Sequence, residues 1–205
     1  MNDLFPEPLP DGITLLPRQA DAVALLPLID AIAAMSPPRH LTVPGGGSMS
    51  VAMTNCGMLG WVSDRSGYRY DRIDPLTGRP WPAMPAAFTE LAAGAAAQAG
   101  FAGFMPDACL INSYAPGARM GLHQDRDERD FAWPIVSVSL GLDAVFLIGG
   151  TRRADPTRAL VLADGAVLVF GGPARRMYHG VRPLKAGHHP LLGARRLNLT
   201  FRKAG

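Results

Sequence analysis

The segment 121–128, GLHQDRDE, sets one histidine among charged side chains, and within it His123 and Asp125 stand in the spacing H-x-D. Residues i and i+2 of an extended stretch project to the same side, so the pair offers an imidazole and a carboxylate to a single metal ion. A mononuclear iron(II) centre that activates oxygen needs two neutral imidazoles and one carboxylate on one face, with the opposite positions open. H-x-D alone is a weak signal, because His/Asp pairs also occur in solvated loops. The second imidazole has to come from elsewhere in the fold.

Four histidines could supply it: His40, His179, His188 and His189. His40 follows PPR near a predicted helix end and reads as a surface or turn residue. His188 and His189, in AGHHPLLG, read as an exposed pair in a loop. His179 differs, because it sits in MYHGV just after the predicted strand LVLVFGG, where Gly171 and Gly172 allow a tight turn. A hydrogen-bonded core histidine is the competing reading of His179.

The last strand adds weight. In RRLNLTFR, Arg196, Asn198, Thr200 and Arg202 fall on one face, and Leu197, Leu199 and Phe201 on the other. If the polar face lines a barrel, its two arginines demand carboxylates, and two fixed guanidinium groups suit a small diacid. LINSYAPG likewise puts Asn112 and Tyr114 on one face as further hydrogen-bonding groups. Metal ligands beside a dicarboxylate pocket point to a 2-oxoglutarate-dependent oxygenase.

The elements that must position these residues follow from the pattern. RQADAVALLPLIDAIAAM (18–35) has helical apolar spacing, with Pro27 expected to kink or split the helix. PGGGS (44–48) is a loop leading into the strand MSVAMTNCG, and PAAFTELAAGAAAQA (85–99) is a second helix with Pro85 in its first turn. After about residue 107 the chain turns to short strands, with LVLADGAVLVF expected to be a hairpin about Asp164-Gly165. Two helices followed by about eight strands predict an α+β protein: a double-stranded β-helix, or jelly roll, with N-terminal helices packed on one side.

Composition sets the outer bounds. A chain of 205 residues, 48% hydrophobic and 18% charged, is expected to form one globular domain over 1–205. Its 23 glycines and 19 prolines suit a loop-rich β body better than a helical bundle. Cys56 and Cys109, in no metal-type spacing, fit a reducing compartment. MNDLFPEPLPDG lacks the pattern of a signal peptide, and no apolar run is long enough to span a bilayer, so a cytoplasmic protein with no membrane attachment is expected. A net charge of +3 permits a polyanionic partner without demanding one.

The chain resembles the AlkB family of bacterial alkylated-DNA repair dioxygenases through MSVAMTNCGMLGW, DPLTGRPWPAMP, PDACLINSYAPGARMGLHQDRDE, PIVSVSLGL, PLKAGHHPL and RLNLTFR. The resemblance implies iron(II) bound by His123, Asp125 and His179, with 2-oxoglutarate and O2 as cosubstrates. It implies that Arg202 pairs with the distal carboxylate of 2-oxoglutarate, that Arg196 lies at the carboxylate end beside the metal, and that Asn112, Tyr114 and Asn198 hydrogen-bond the cosubstrate. A nucleotide-recognition lid over about 40–80 and a catalytic core over about 107–205 are implied. So are substrate contacts from Trp61 (stacking on the damaged base, with His123 on its other face), Asp127 (contacting the base), Tyr68 (contacting a phosphate) and Met53. Arg65, Arg69 and Arg72 are candidates for backbone contacts. Arg126, Glu128 and Asp130 read as a solvated rim.

The implied activity is oxidative demethylation of 1-methyladenine and 3-methylcytosine in single- or double-stranded DNA, with RNA as a further candidate, by a monomer releasing formaldehyde, succinate and CO2. The sequence departs from the family prototype at Val43, Gly47, Ser63 and Asp64, all in the lid. Two other readings stand beside this one: a 2-oxoglutarate-dependent hydroxylase of a small molecule or protein, and a non-catalytic jelly-roll binding module with a structural metal.

Overall fold

The structure, a computed structural model, describes residues 8–205; the signal-peptide reading falls in good part on residues outside these. The chain runs β1 (Ile13–Leu16), α1 (Ala22–Met35), β2 (Arg39–Thr42) and β3 (Ser48–Gly57). Four short strands follow: β4 (Gly60–Asp64), β5 (Gly67–Asp71), β6 (Ile73–Asp74) and β7 (Arg79–Pro80). After α2 (Ala86–Gln98) come β8 (Ala108–Tyr114), β9 (Met120–His123), β10 (Ile135–Gly141), β11 (Ala144–Ile148), β12 (Arg158–Leu162) and β13 (Val167–Phe170). A 3-10 turn, Gly172–Arg176, leads to β14 (His179–Val181) and β15 (Arg196–Arg202).

These strands form a large antiparallel sheet, in the order β1-β13-β10-β15-β8-β3-β2, and a small one, β12-β11-β14-β9. The inward residues of both, among them Ile135, Leu168 and Phe170 from the large sheet and Phe146, Ile148 and Val181 from the small, share one apolar cluster, as a jelly roll requires. The outer face of the large sheet carries the helices. Leu25, Ile29 and Ile32 of α1 and Phe88, Ala92 and Ala96 of α2 pack with Val136, Val138, Leu197, Leu199 and Phe201. The alternation along β15 thus sends its leucines and Phe201 to the helices and its polar residues into the barrel.

Four local expectations change. Pro27 does not divide α1, which is continuous from Ala22 to Met35 and capped by Asp21 accepting from the Val23 amide. Pro27 lies on the exposed side near Val23, so the carbonyl that its missing N–H leaves unpaired meets water, while the buried face holds the helix to the sheet. Pro85 is the N-cap of α2 rather than a first-turn residue.

The Asp164-Gly165 turn exists, with the Ala166 amide bonded to the Ala163 carbonyl at 3.1 Å, but it closes no hairpin. β12 pairs with β11, whereas β13 pairs with β1 and β10, so the turn carries the chain from one sheet to the other. The 40–80 segment also divides: β2 and β3 belong to the large sheet, and only β4 to β7 stand apart as two hairpins. Among the described residues no helix is long and apolar enough to cross a membrane.

Candidate active site

His123 ends β9 and His179 begins β14, and the two are register partners across the antiparallel ladder. Cross-strand partners hold their Cβ atoms roughly 5 Å apart, so main-chain pairing alone sets the two imidazoles side by side; their ring centroids are 4.4 Å apart. β9 stops at His123, and Asp125 follows in irregular backbone rather than in the extended stretch its spacing suggested. It still reaches the same centre. Asp125 Oδ1 lies 3.5 Å from His123 Nε2 and Oδ2 lies 3.9 Å from His179 Nε2, and one ligating atom from each residue falls within 4.8 Å of the others.

The tautomers suit a metal. His123 Nδ1 sits 2.9 Å from the Gly121 carbonyl, and His179 Nδ1 sits 3.1 Å from that of Met177. A carbonyl only accepts, so each Nδ1 carries a proton and each Nε2 turns a lone pair to the centre. Burial, reinforced by the neighbouring His123, pushes His179 down to about 4. Burial also works against the charged form of His123, but the Asp125 carboxylate outweighs it and the net shift is upward. Burial would raise Asp125; the Arg202 guanidinium and the two imidazoles instead hold it well below the usual carboxylate range. Two imidazoles and one ionised carboxylate, walled by Phe146 and Phe170 against the His179 ring, fit a mononuclear iron(II) site with open positions.

Along the barrel from the triad, the two arginines of β15 take the reverse of the expected order. Arg202 stands at the His-Asp-His cluster, its Nη2 2.7 Å from Asp125 Oδ2, and its Nε 3.2 Å from Glu128 Oε1. Arg196 stands six residues back on the same strand, against the Tyr114 ring at 4.9 Å. It is fully buried and gives Nη2 to Ser139 Oγ at 2.8 Å, but its Nε and Nη1 have no partner. Asn112 Oδ1 is likewise buried and unpartnered, while Asn198 is already engaged by Ser137, Val138 and Thr200. Buried polar atoms are seldom left unpaired. These orphans mark where a polar guest belongs, and a guanidinium without a carboxylate is the place for an anion.

The profile of the family described as 2OG-Fe(II) oxygenase superfamily matches residues 12–202. The protein named "Alpha-ketoglutarate-dependent dioxygenase AlkB" from Salmonella typhimurium is 56% identical over 200 residues, covering 97% of this chain and 93% of its own. The protein of the same name from Escherichia coli is 56% identical over 201 residues with the same coverage. A solved structure titled "The structure of OsALKBH1" superposes with a TM-score of 0.80 at 29% identity, covering 96% of this chain and all of its own. The chain belongs to the 2OG-Fe(II) oxygenase superfamily, in its AlkB group. The cofactor of this oxygenase is iron(II), with 2-oxoglutarate and O2 as cosubstrates, and the His-Asp-His cluster and the orphaned pocket fit them.

Beside the metal of this AlkB-group oxygenase, the β4–β5 hairpin brings its aromatic residues to the segment that follows Asp125. Trp61 Nε1 donates to Asp127 Oδ2 at 2.7 Å, and Tyr68 stacks on Trp61 with ring centroids 5.4 Å apart and 13° between planes. Met53, on β3, is buried in the inner cluster against which Trp61 also packs. Arg69 is held by Asp64 at 2.9 Å and Asp71 at 3.7 Å, which leaves Arg65 and Arg72 as the exposed cations of this stretch. Of the lid departures, Ser63 donates to the Thr42 carbonyl at 2.6 Å and Asp64 is the partner of Arg69, so both brace the hairpin. The other histidines serve locally: His40 Nδ1 meets the Met49 carbonyl, and His189 Nδ1 accepts from the Leu191 and Leu192 amides.

One rim residue is misplaced by the sequence reading. Arg126 and Asp130 are exposed, but Glu128 is buried, bonded by Tyr70 Oη at 2.6 Å and by Arg175 Nη2 at 2.9 Å. Tyr70 and Arg175 were missed altogether. The available signal was that Tyr70 sits on the strand returning past Trp61, and that Arg175 follows the double glycine ahead of His179.

Proposed function

We propose that this oxygenase removes N-linked alkyl groups from damaged bases of DNA, 1-methyladenine and 3-methylcytosine above all, and so reverses alkylation damage directly. The observation that carries the reading is the segment 123–128, in which two metal ligands are followed at once by Asp127, bonded to the indole of an aromatic hairpin. An oxidising centre and an aromatic platform are joined within six residues. The relatives named above, 56% identical along almost the whole chain, support the same substrate class.

Iron(II) and 2-oxoglutarate supply oxygen activation and hydroxylation of the N-alkyl carbon, leaving formaldehyde, succinate and CO2. The chain's own residues bind and orient. His123, Asp125 and His179 would hold the metal. Arg196, with Nε and Nη1 unpartnered, would take the distal carboxylate of 2-oxoglutarate, with Asn112 and Tyr114 as further polar neighbours; Arg202, compensated by Asp125 and Glu128, would serve the metal end. Asn198 orders Asn112 through a 3.3 Å bond.

A base inside a duplex cannot reach the centre, so the nucleotide is flipped out, at lowest cost where alkylation has already weakened its pairing. The β4–β5 hairpin serves as the lid over it. Trp61 stacks on the flipped base against His123, Tyr68 swings from Trp61 to a phosphate, Met53 supports the platform from below, and Arg65 and Arg72 meet the backbone. Asp127, exposed and acidic, favours the cationic methylated bases over neutral ones. The protein acts as a single domain and a monomer, in the cytoplasm.

The test is incubation with iron(II), 2-oxoglutarate and oligonucleotides carrying one defined lesion, as single strand, duplex and RNA. Formaldehyde release and loss of the methyl mass from 1-methyladenine or 3-methylcytosine are expected; an iron-loaded, folded sample that demethylates neither sinks the reading. Trp61→Ala is expected to weaken use of the methylated oligonucleotide by about thirtyfold, the effect of losing about 2 kcal/mol of stacking. The measurement is KM for the oligonucleotide, and an unchanged value removes Trp61 from the base platform.

A further inference from the structure

Glu128 is a carboxylate with a side chain only 1% exposed, a costly position unless its charge is fully met. Its partners come from three separate parts of the fold. Tyr70 Oη, on the β4–β5 hairpin, donates to Oε1 at 2.6 Å, and Arg202 Nε, on β15, stands 3.2 Å from the same oxygen. Arg175 Nη2, from the 3-10 turn ahead of β14, donates to Oε2 at 2.9 Å.

Both arginines also grip the metal ligand. Arg202 holds the Asp125 carboxylate, and Arg175 Nη1 donates to the Asp125 carbonyl at 3.1 Å. Asp125 is therefore held at its side chain and at its main chain, and both grips converge on Glu128. Arg202 Nε is 3.2 Å from Asp125 Oδ2 and from Glu128 Oε1, so a single N–H stands between two carboxylates. What settles its allegiance is how well Glu128 is satisfied from elsewhere, and that is the task of the Tyr70 hydroxyl.

The hairpin end of this chain of contacts is equally specific. Trp61 and Tyr70 are direct register partners across β4 and β5 and so share a face. Trp61 is bonded to Asp127 and Tyr70 to Glu128, so adjacent acids fasten adjacent teeth of one hairpin. A two-stranded ribbon outside the main sheets has little stability of its own: Asn55 and the Thr42 carbonyl tie β4 to the large sheet, and the two acids tie the same face to the segment after Asp125.

We propose that Glu128 is a positioning residue that couples the hairpin, through Tyr70, to the iron carboxylate Asp125, through Arg202, so that seating a nucleotide under the hairpin sets the orientation of that ligand. The inference rests on the reading of the hairpin as the nucleotide lid. It also gives Tyr70 a role apart from stacking: it reports hairpin position to the metal.

The test uses the iron(II)-loaded protein and the variants Tyr70→Phe and Glu128→Gln. Anaerobically, the visible charge-transfer band of the iron–2-oxoglutarate complex is recorded with and without an oligonucleotide carrying one 3-methylcytosine. Aerobically, formaldehyde and succinate are counted together. In the wild type the oligonucleotide is expected to shift the band, and the two products to appear in equal amounts. In Tyr70→Phe, which removes one oxygen and keeps the ring, the shift is expected to shrink, and formaldehyde per succinate to fall by about threefold to tenfold, the scale of one ordinary hydrogen bond lost. Glu128→Gln is expected to do the same more strongly; if it fails to fold, Tyr70→Phe decides alone. A Tyr70→Phe protein with the wild-type shift and product ratio overturns the inference by itself. A wild type that forms succinate but no formaldehyde from any alkylated oligonucleotide overturns it together with the lid reading.

Discussion

Arg196→Met raises the half-saturating concentration of 2-oxoglutarate by about a hundredfold, because two charge-assisted hydrogen bonds to the distal carboxylate are lost at roughly 1.5 kcal/mol each. The two arginines differ in which is already spoken for. Arg202 is met by two carboxylates, Asp125 and Glu128, whereas Arg196 lies buried with two unpartnered N–H groups and an aromatic ring for company. Burial pulls its pKa down, as expected of a cation waiting for an anion. Arg202→Met behaves differently: it takes the guanidinium from the Asp125 carboxylate and leaves Glu128 to Arg175 and Tyr70, which destabilises the fold by about 3 kcal/mol and weakens iron binding. Saturation curves for succinate formation, set beside iron titrations, separate the two. If Arg202→Met alone raised the 2-oxoglutarate requirement, the order of the arginines first read from the sequence would stand.

The second large effect is at the metal. His179→Ala is expected to lower iron(II) affinity by more than about a hundredfold, since removal of a ligand exceeds the cost of disturbing its supports. The wild-type pH dependence follows from the three ligands. Metal binding requires neutral imidazoles and an ionised carboxylate. Asp125 is held low and stays ionised; His179, at about 4, stays neutral through the physiological range. Only His123, raised by Asp125, has a proton to lose there. As pH falls through the raised His123 value, apparent affinity drops by about tenfold per unit, one proton competing with one metal. Competition against a coloured chelator between about pH 5 and 8 measures the slope. A drop near a hundredfold per unit would mean that both imidazoles titrate together.

The parts of this site legible in the sequence are those governed by strand alternation. The polar and apolar faces of β15 are where period two puts them, and His179 stood out because a strand ended just before it. The arginine order was not legible: R-x-N-x-T-x-R has an arginine at each end, and the direction of β15 in the sheet decides which guanidinium stands beside Asp125. Glu128 was hidden for another reason. A run such as DRDERD looks solvated locally, and only Arg175 and Arg202, far along the chain, make a buried carboxylate tenable. The failed hairpin at Asp164-Gly165 is instructive in the same way. The turn is real, but β13 is buried on both faces while β12 alternates, and strands with such different surroundings belong to different sheets.

Because His123 and His179 face one another across β9 and β14, the spacing of the two imidazoles is written in main-chain hydrogen bonds rather than in the ion that they hold. A slip of one residue in that ladder would turn one ring outward and empty the site at a stroke. The pairing makes no demand on the ion, so a chelator that strips iron(II) is expected to leave the far-ultraviolet circular dichroism of the barrel unchanged.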